Sequence, residues 1–187
     1  MKLVLAQLNP VIGDLNGNAE KIFEVCKNIN NKDVNLVITP ELSLLGYPPK
    51  DLLFNPRLFD DQKDILNKLS KNLNHLNGNL SVLVGIAEPA QDLQIPKLYN
   101  SVVIVEKGTW RIVARKQLLP TYDVFDEKRY FRSAENSSIL NLTYKKKAWK
   151  IGITICEDIW VEQYLQNETL LGKDPLKSLE KEKLDVL

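Results

Sequence analysis

An α/β fold, with helices layered against a mixed sheet, is predicted by three observations. Apolar strand-like runs alternate with helical patterns through the N-terminal half of the chain. A two-residue turn then separates two β-rich segments, and a second strand pair follows around a run of lysines. Strand–helix alternation followed by hairpins favours a mixed sheet covered by helices.

Residues 2–8 read as a buried strand. A helix follows over about residues 18–30, because Ile22, Val25, Cys26 and Ile29 recur at the spacing of one buried helical face. Cys26 lies on that stripe and reads as core filler. Residues 34–39 form the second expected strand, ended by Pro40-Glu41, and a loop rich in proline and glycine covers residues 42–57. The second helix is expected over residues 58–76, with Ile65, Leu66, Leu69, Leu73 and Leu76 on one face and His75 beside the Asn77-Gly78 stop signal.

Residues 80–87 form a third strand. Lys107-Gly108 is a hairpin signal between strands at 99–106 and 109–115. A long charged loop then runs to residue 136. Strands at 138–144 and 148–155 flank the Lys145-Lys146-Lys147 turn. Residues 157–183 read as polar helix broken near Gly172–Pro175, and residues 184–187 as the opening of a further strand.

Composition narrows the function classes. A length of 187 residues suits one domain with a sizeable core. A net charge of +1 gives no pull toward nucleic acid or an anionic membrane. The two cysteines, Cys26 and Cys156, make neither a disulfide framework nor a zinc motif, which fits a reducing cytoplasm. The N-terminal apolar stretch is too short for a signal peptide, and no run approaches the ~20 residues that span a bilayer.

Three strand ends carry reactive groups. Glu41 follows the second strand, Lys116 the fifth, and Cys156 closes the seventh just before Glu157 and Asp158. Loops after strand ends are where α/β sites collect. A thiolate attacks an amide, a neighbouring carboxylate moves its proton, and an ammonium together with backbone N–H groups past Cys156 steadies the oxyanion. Each residue also has an ordinary reading: a buried strand cysteine, a turn glutamate, a solvated lysine. The chain has no G-x-S-x-G elbow, P-loop or G-x-G-x-x-G. A cysteine–histidine pair would have to recruit His75, the one histidine, from a lysine-rich helix end.

Three segments resemble the carbon–nitrogen hydrolase (nitrilase) superfamily: Thr39-Pro40-Glu41-Leu42-Ser43, Arg115-Lys116-Gln117-Leu118-Leu119-Pro120 and Gly152-Ile153-Thr154-Ile155-Cys156-Glu157-Asp158. The resemblance implies a nitrilase-like α-β-β-α sandwich, incomplete at its C-terminus. It implies Glu41 as general base, Lys116 as oxyanion stabiliser and Cys156 as nucleophile.

Gly46-Tyr47-Pro48-Pro49-Lys50-Asp51-Leu52-Leu53, Tyr122-Asp123-Val124-Phe125-Asp126-Glu127-Lys128-Arg129 and Cys156-Glu157-Asp158-Ile159-Trp160 are similar to the amidase part of glutamine-dependent NAD+ synthetases. By that similarity Tyr122 would contact L-glutamine, Phe125 and Glu157 would line its pocket, and Glu127 would be an accessory carboxylate near Lys116. The same similarity implies no cofactor for the glutaminase step. ATP and Mg2+ would serve a separate domain converting deamido-NAD+ to NAD+, whose S-G-G-x-D-S loop is not in these residues. It further implies a cytoplasmic homo-oligomer without nucleic-acid or membrane partners, and a fragment with weak or no activity by itself. A stand-alone amidase for another small amide and a non-catalytic assembly piece are the alternatives.

Overall fold

The computed structural model describes residues 1–92, 95–160 and 173–187. Strands β1 (Leu3–Leu5), β2 (Leu36–Ile38), β3 (Ser81–Pro89), β4 (Leu98–Glu106) and β5 (Thr109–Arg115) form one sheet in the order β1-β2-β3-β4-β5. β6 (Ser138–Tyr144) and β7 (Lys147–Ile153) form a second, two-stranded sheet. The chain divides into two compact units, Met1–Ala87 with Val102–Ile112, and Glu88–Ser101 with Val113–Leu187.

In the first unit, β1, β2 and β3 run parallel, with Leu3 opposite Leu36 and Ile38 opposite Leu83. Helices α1 (Leu15–Ile29) and α2 (Arg57–Leu76) make the connections. α1 begins three residues before the expected start because Asp14 caps it, its Oδ1 accepting from the Gly17 N–H at 2.9 Å. Ile22 and Cys26 are fully buried, as the stripe requires. On α2, Leu66, Leu69 and Leu73 are buried and His75 is exposed near the C-terminal end. Gln62 ties α2 to β3 through both ends of its amide, donating to the Ala87 carbonyl at 2.8 Å and accepting from the Ala87 N–H at 3.2 Å.

The expectation of a buried first strand is corrected. β1 is short and lies at the sheet edge, with Leu3 37% and Leu5 68% exposed. Residues two apart share a face, so one side of β1 is open to solvent while β2 and β3 are buried. The Lys107-Gly108 turn is as expected, with φ of +50° and +77°.

In the second unit, β6 and β7 are antiparallel from Ser138 opposite Ile153 to Tyr144 opposite Lys147. The turn is only Lys145-Lys146, both left-handed at φ +47° and +64°, and Lys147 belongs to the strand. β7 also stops at Ile153, short of the expected end. Of the helix expected over residues 157–183, the described residues hold a 3-10 turn, Cys156–Ile159, and a short helix, Pro175–Leu179, capped by Asp174; the part of that expectation at residues 161–172 lies outside the described ones. The expected final strand is a single parallel bridge of Val186 to Ile151, with the Gly152 N–H donating to the Val186 carbonyl at 2.9 Å. No helix of the described residues is long and apolar enough to cross a membrane.

Candidate active site

Lys116 directly follows β5. Its N–H donates to the Asn100 carbonyl at 2.8 Å and its carbonyl accepts from Ala134 at 3.0 Å, so the backbone is held from both sides. Its side chain is not a solvated charge but is fully buried. Nζ lies 3.0 Å from Glu127 Oε1 and 2.8 Å from Glu157 Oε2, both carboxylates being buried as well. An ammonium taken out of water needs such partners. Glu127 opens the 3-10 turn Glu127–Arg129, and its N–H is fixed by the Pro120 carbonyl at 3.0 Å.

The preceding residue, Arg115, forks onto buried Glu88, whose Oε2 accepts from Arg115 Nε at 2.7 Å and from the Ser101 hydroxyl at 2.7 Å. The guanidinium carbons of Arg115 and Arg132 lie 4.5 and 4.6 Å from the centre of the Tyr99 ring. These contacts stiffen the strand end that delivers Lys116.

Cys156 is the first residue of the 3-10 turn, three residues beyond β7, and it is exposed. Its φ is +48°, a region sparsely populated by side-chain-bearing residues. The next two residues turn inward, Glu157 and Asp158 each being 2% exposed. Asp158 Oδ1 accepts from the N–H groups of Gln117 at 3.0 Å and Leu118 at 2.8 Å, and Oδ2 from the Ile155 N–H at 3.1 Å. Burial pushes the Asp158 carboxyl above its ordinary value, against the opposing pull of these bonds and of Lys116. Of the amides past Cys156, that of Asp158 donates to the Ile155 carbonyl and that of Trp160 to the Glu157 carbonyl.

Tyr122 and Phe125 meet edge to face, with ring centres 5.4 Å apart at 67°. The Tyr122 phenol is pushed above its ordinary value, first by burial and then by the charges of Glu157, Cys156 and Glu127, with Lys116 opposing. It therefore sits in the field of the same four groups. Lys116, Glu127 and Glu157 are in direct contact, Cys156 adjoins Glu157, and Phe125 packs on Tyr122.

Glu41 belongs to the first unit, in the loop after β2, and is half-buried. That loop is braced on β3. Thr39 Oγ1 donates to the Leu83 carbonyl at 2.9 Å and lies 2.6 Å from the Ser43 hydroxyl, which accepts from the Gly85 N–H at 3.1 Å. Leu42, Ser43, Leu44 and Leu45 are fully buried. The sequence pattern did not single out Thr39, Ser43, Glu88 or Asp158 as supports. An aspartate third in a turn that follows a strand is a detectable capping signal; the others are visible only in three dimensions.

A family model for carbon–nitrogen hydrolases matches residues 2–170. The chain belongs to this family. Among relatives of this carbon–nitrogen hydrolase, a glutamine-dependent NAD+ synthetase of Synechocystis is 41% identical over 95% of the chain and 31% of the relative. One of Aquifex aeolicus is 35% identical over 92% of the chain and 28% of the relative. The chain thus spans about a third of the length of the curated relatives it matches. Among solved structures, the glutamine-dependent NAD+ synthetase of Acinetobacter baumannii superposes with a TM-score of 0.77 at 33% identity, covering 98% of this chain and 31% of that one. An amidase of the nitrilase superfamily from Nesterenkonia matches with a TM-score of 0.64 at 17% identity, over 86% of this chain and 57% of that one, a likeness of fold. The mixed α/β architecture is accordingly that of the nitrilase fold.

Proposed function

We propose that, within a protein of its relatives' length, this carbon–nitrogen hydrolase chain hydrolyses the side-chain amide of L-glutamine through a thioester on Cys156, with weak or no activity by itself. The observation that carries the reading is the buried Lys116 ammonium, held by Glu127 and Glu157, the latter adjoining the exposed thiol. The Cys156 sulfur attacks the amide carbon while Glu41 takes the thiol proton. Lys116 stabilises the oxyanion, with the field around it already set. The C–N bond breaks as Glu41 returns the proton to nitrogen, and ammonia leaves. Water then adds to the thioester with Glu41 as base, the C–S bond breaks, and glutamate and free thiol result. Tyr122 contacts the substrate, and Phe125 and Glu157 shape its pocket.

The relatives' name, glutamine-dependent NAD(+) synthetase, supports NAD+ synthesis as the destination of the ammonia; ATP-dependent amidation of deamido-NAD+, with Mg2+ accompanying the nucleotide, is what the resemblance of the sequence motifs implies. No residue of this chain is assigned to that step, which is attributed to the part of the relatives' length that the chain does not span. The cytoplasm and a homo-oligomeric state belong to the same proposal. Incubation with an electrophilic glutamine analogue tests it by intact mass. One adduct, lost in Cys156→Ala, is expected; labelling that persists in that variant overturns the nucleophile, and hydrolysis of other small amides in preference to glutamine overturns the substrate.

A further inference from the structure

We propose that Asp158 is a positioning residue that locks the Lys116 segment to the Cys156 segment through one carboxylate. This inference rests on the amidase reading above. Oδ1 binds the N–H groups of Gln117 and Leu118, the two residues directly after Lys116. Oδ2 binds the N–H of Ile155, the residue directly before Cys156. A group 2% exposed, with both oxygens committed to backbone, cannot yield to either segment without leaving a buried donor unpaired. The carboxylate touches no reacting atom in this scheme; it sets where the ammonium and the sulfur stand relative to each other.

Three donors converging from two segments call for an acceptor-only group with two oxygens. Aspartate meets that requirement and asparagine does not, since its NH2 would face one of the donors. The short side chain also matters, because it is rooted in the same tight turn as the thiol. Cys156 has a left-handed backbone, which persists only when neighbouring contacts hold it. The Ile155 N–H bond is one such contact, on the side of the turn where the strand arrives.

Asp158→Asn in the intact protein tests the lock. Misplacement of reacting groups by a fraction of an ångström predicts a kcat lower on the order of tenfold to a hundredfold with KM for glutamine little changed. The rate of Cys156 alkylation should shift in the same variant, measured well below its melting temperature. A loss of stability with kcat unchanged would mean a purely structural group and would overturn the proposal. Amide hydrogen exchange in the wild-type protein decides the matter where the variant does not fold. The Gln117, Leu118 and Ile155 amides are expected to exchange through a common opening; independent opening of Ile155 refutes the lock. A wild-type protein of the relatives' length that releases no ammonia from glutamine would instead defeat the amidase reading, while a shared opening of the three amides would leave the lock standing.

Discussion

Lys116 Nζ lies 2.8 Å from Glu157 Oε2, and both side chains are almost wholly removed from solvent. Because Glu157 is the neighbour of Cys156, one ion pair joins the end of β5 to the turn carrying the thiol. Burying the ammonium is tolerable only in company, and Glu127 supplies the second partner.

Removing the lysine should therefore cost more than a side chain's packing. Lys116→Met leaves two buried carboxylates facing each other without their cation, and a loss of about 3–5 kcal/mol is expected. Adding Glu127→Gln and Glu157→Gln should restore much of it while activity stays absent. Urea unfolding of the single and triple variants measures this, and an equal loss in both would show that the charges are not the cause.

The Glu41 loop makes a similarly specific demand on β3. A Cβ at Gly85 would stand 2.3 Å from the Leu42 nitrogen and 2.8 Å from the Pro40 carbonyl oxygen, both backbone atoms with little room to retreat. Gly85→Ala is expected to cost about 1–3 kcal/mol, as overpacked sites do, and to lower glutamine hydrolysis beyond what the unfolded fraction explains. Full activity in the folded variant would show that the loop adapts freely.

Cys26 supplies a pH signature unrelated to activity. Burial pushes its thiol from the ordinary 9.0 up to about 12. A group raised in the folded state contributes stability fully below its unfolded value and loses it as pH climbs to the folded one. The contribution should thus be intact below pH 9.0 and vanish toward about 12. At about 1.4 kcal/mol per unit, the ceiling is on the order of 4 kcal/mol. The stability difference between wild type and Cys26→Ala, followed by denaturation up the alkaline range, should shrink accordingly. A constant difference would mean that the buried thiol ionises as readily as a free one.

Much of this architecture was legible in periodicity. The stripe through Ile22, Cys26 and Ile29 and the Lys107-Gly108 turn each encode a local geometry that depends on near neighbours alone. The exposure of β1 was not legible, since Leu3 and Leu5 have the composition of a buried strand and only sheet order leaves them at an edge. Nor was the end of β7, because Ile155 looks like strand in one dimension and yields to the turn that Asp158 caps. At the site, reactive residue types at strand ends indicated Glu41, Lys116 and Cys156, while Glu127 and Glu157 were given only by the resemblance to the amidase part of glutamine-dependent NAD+ synthetases. The burial of Lys116 and the reach of Asp158 across 40 residues to Leu118 could come only from tertiary structure.

The lysine turn has a last consequence, for proteolysis. Lys145, Lys146 and Lys147 are exposed and would ordinarily invite trypsin. A protease, however, needs an extended stretch of backbone, and here two consecutive left-handed residues are pinned between strands paired from Ser138–Ile153 to Tyr144–Lys147. Cleavage at these lysines must then wait for the hairpin to unzip. Since β7 leads directly to Cys156, the rate of tryptic nicking at this turn becomes a clock for how often the strand that feeds the thiol lets go of its partner.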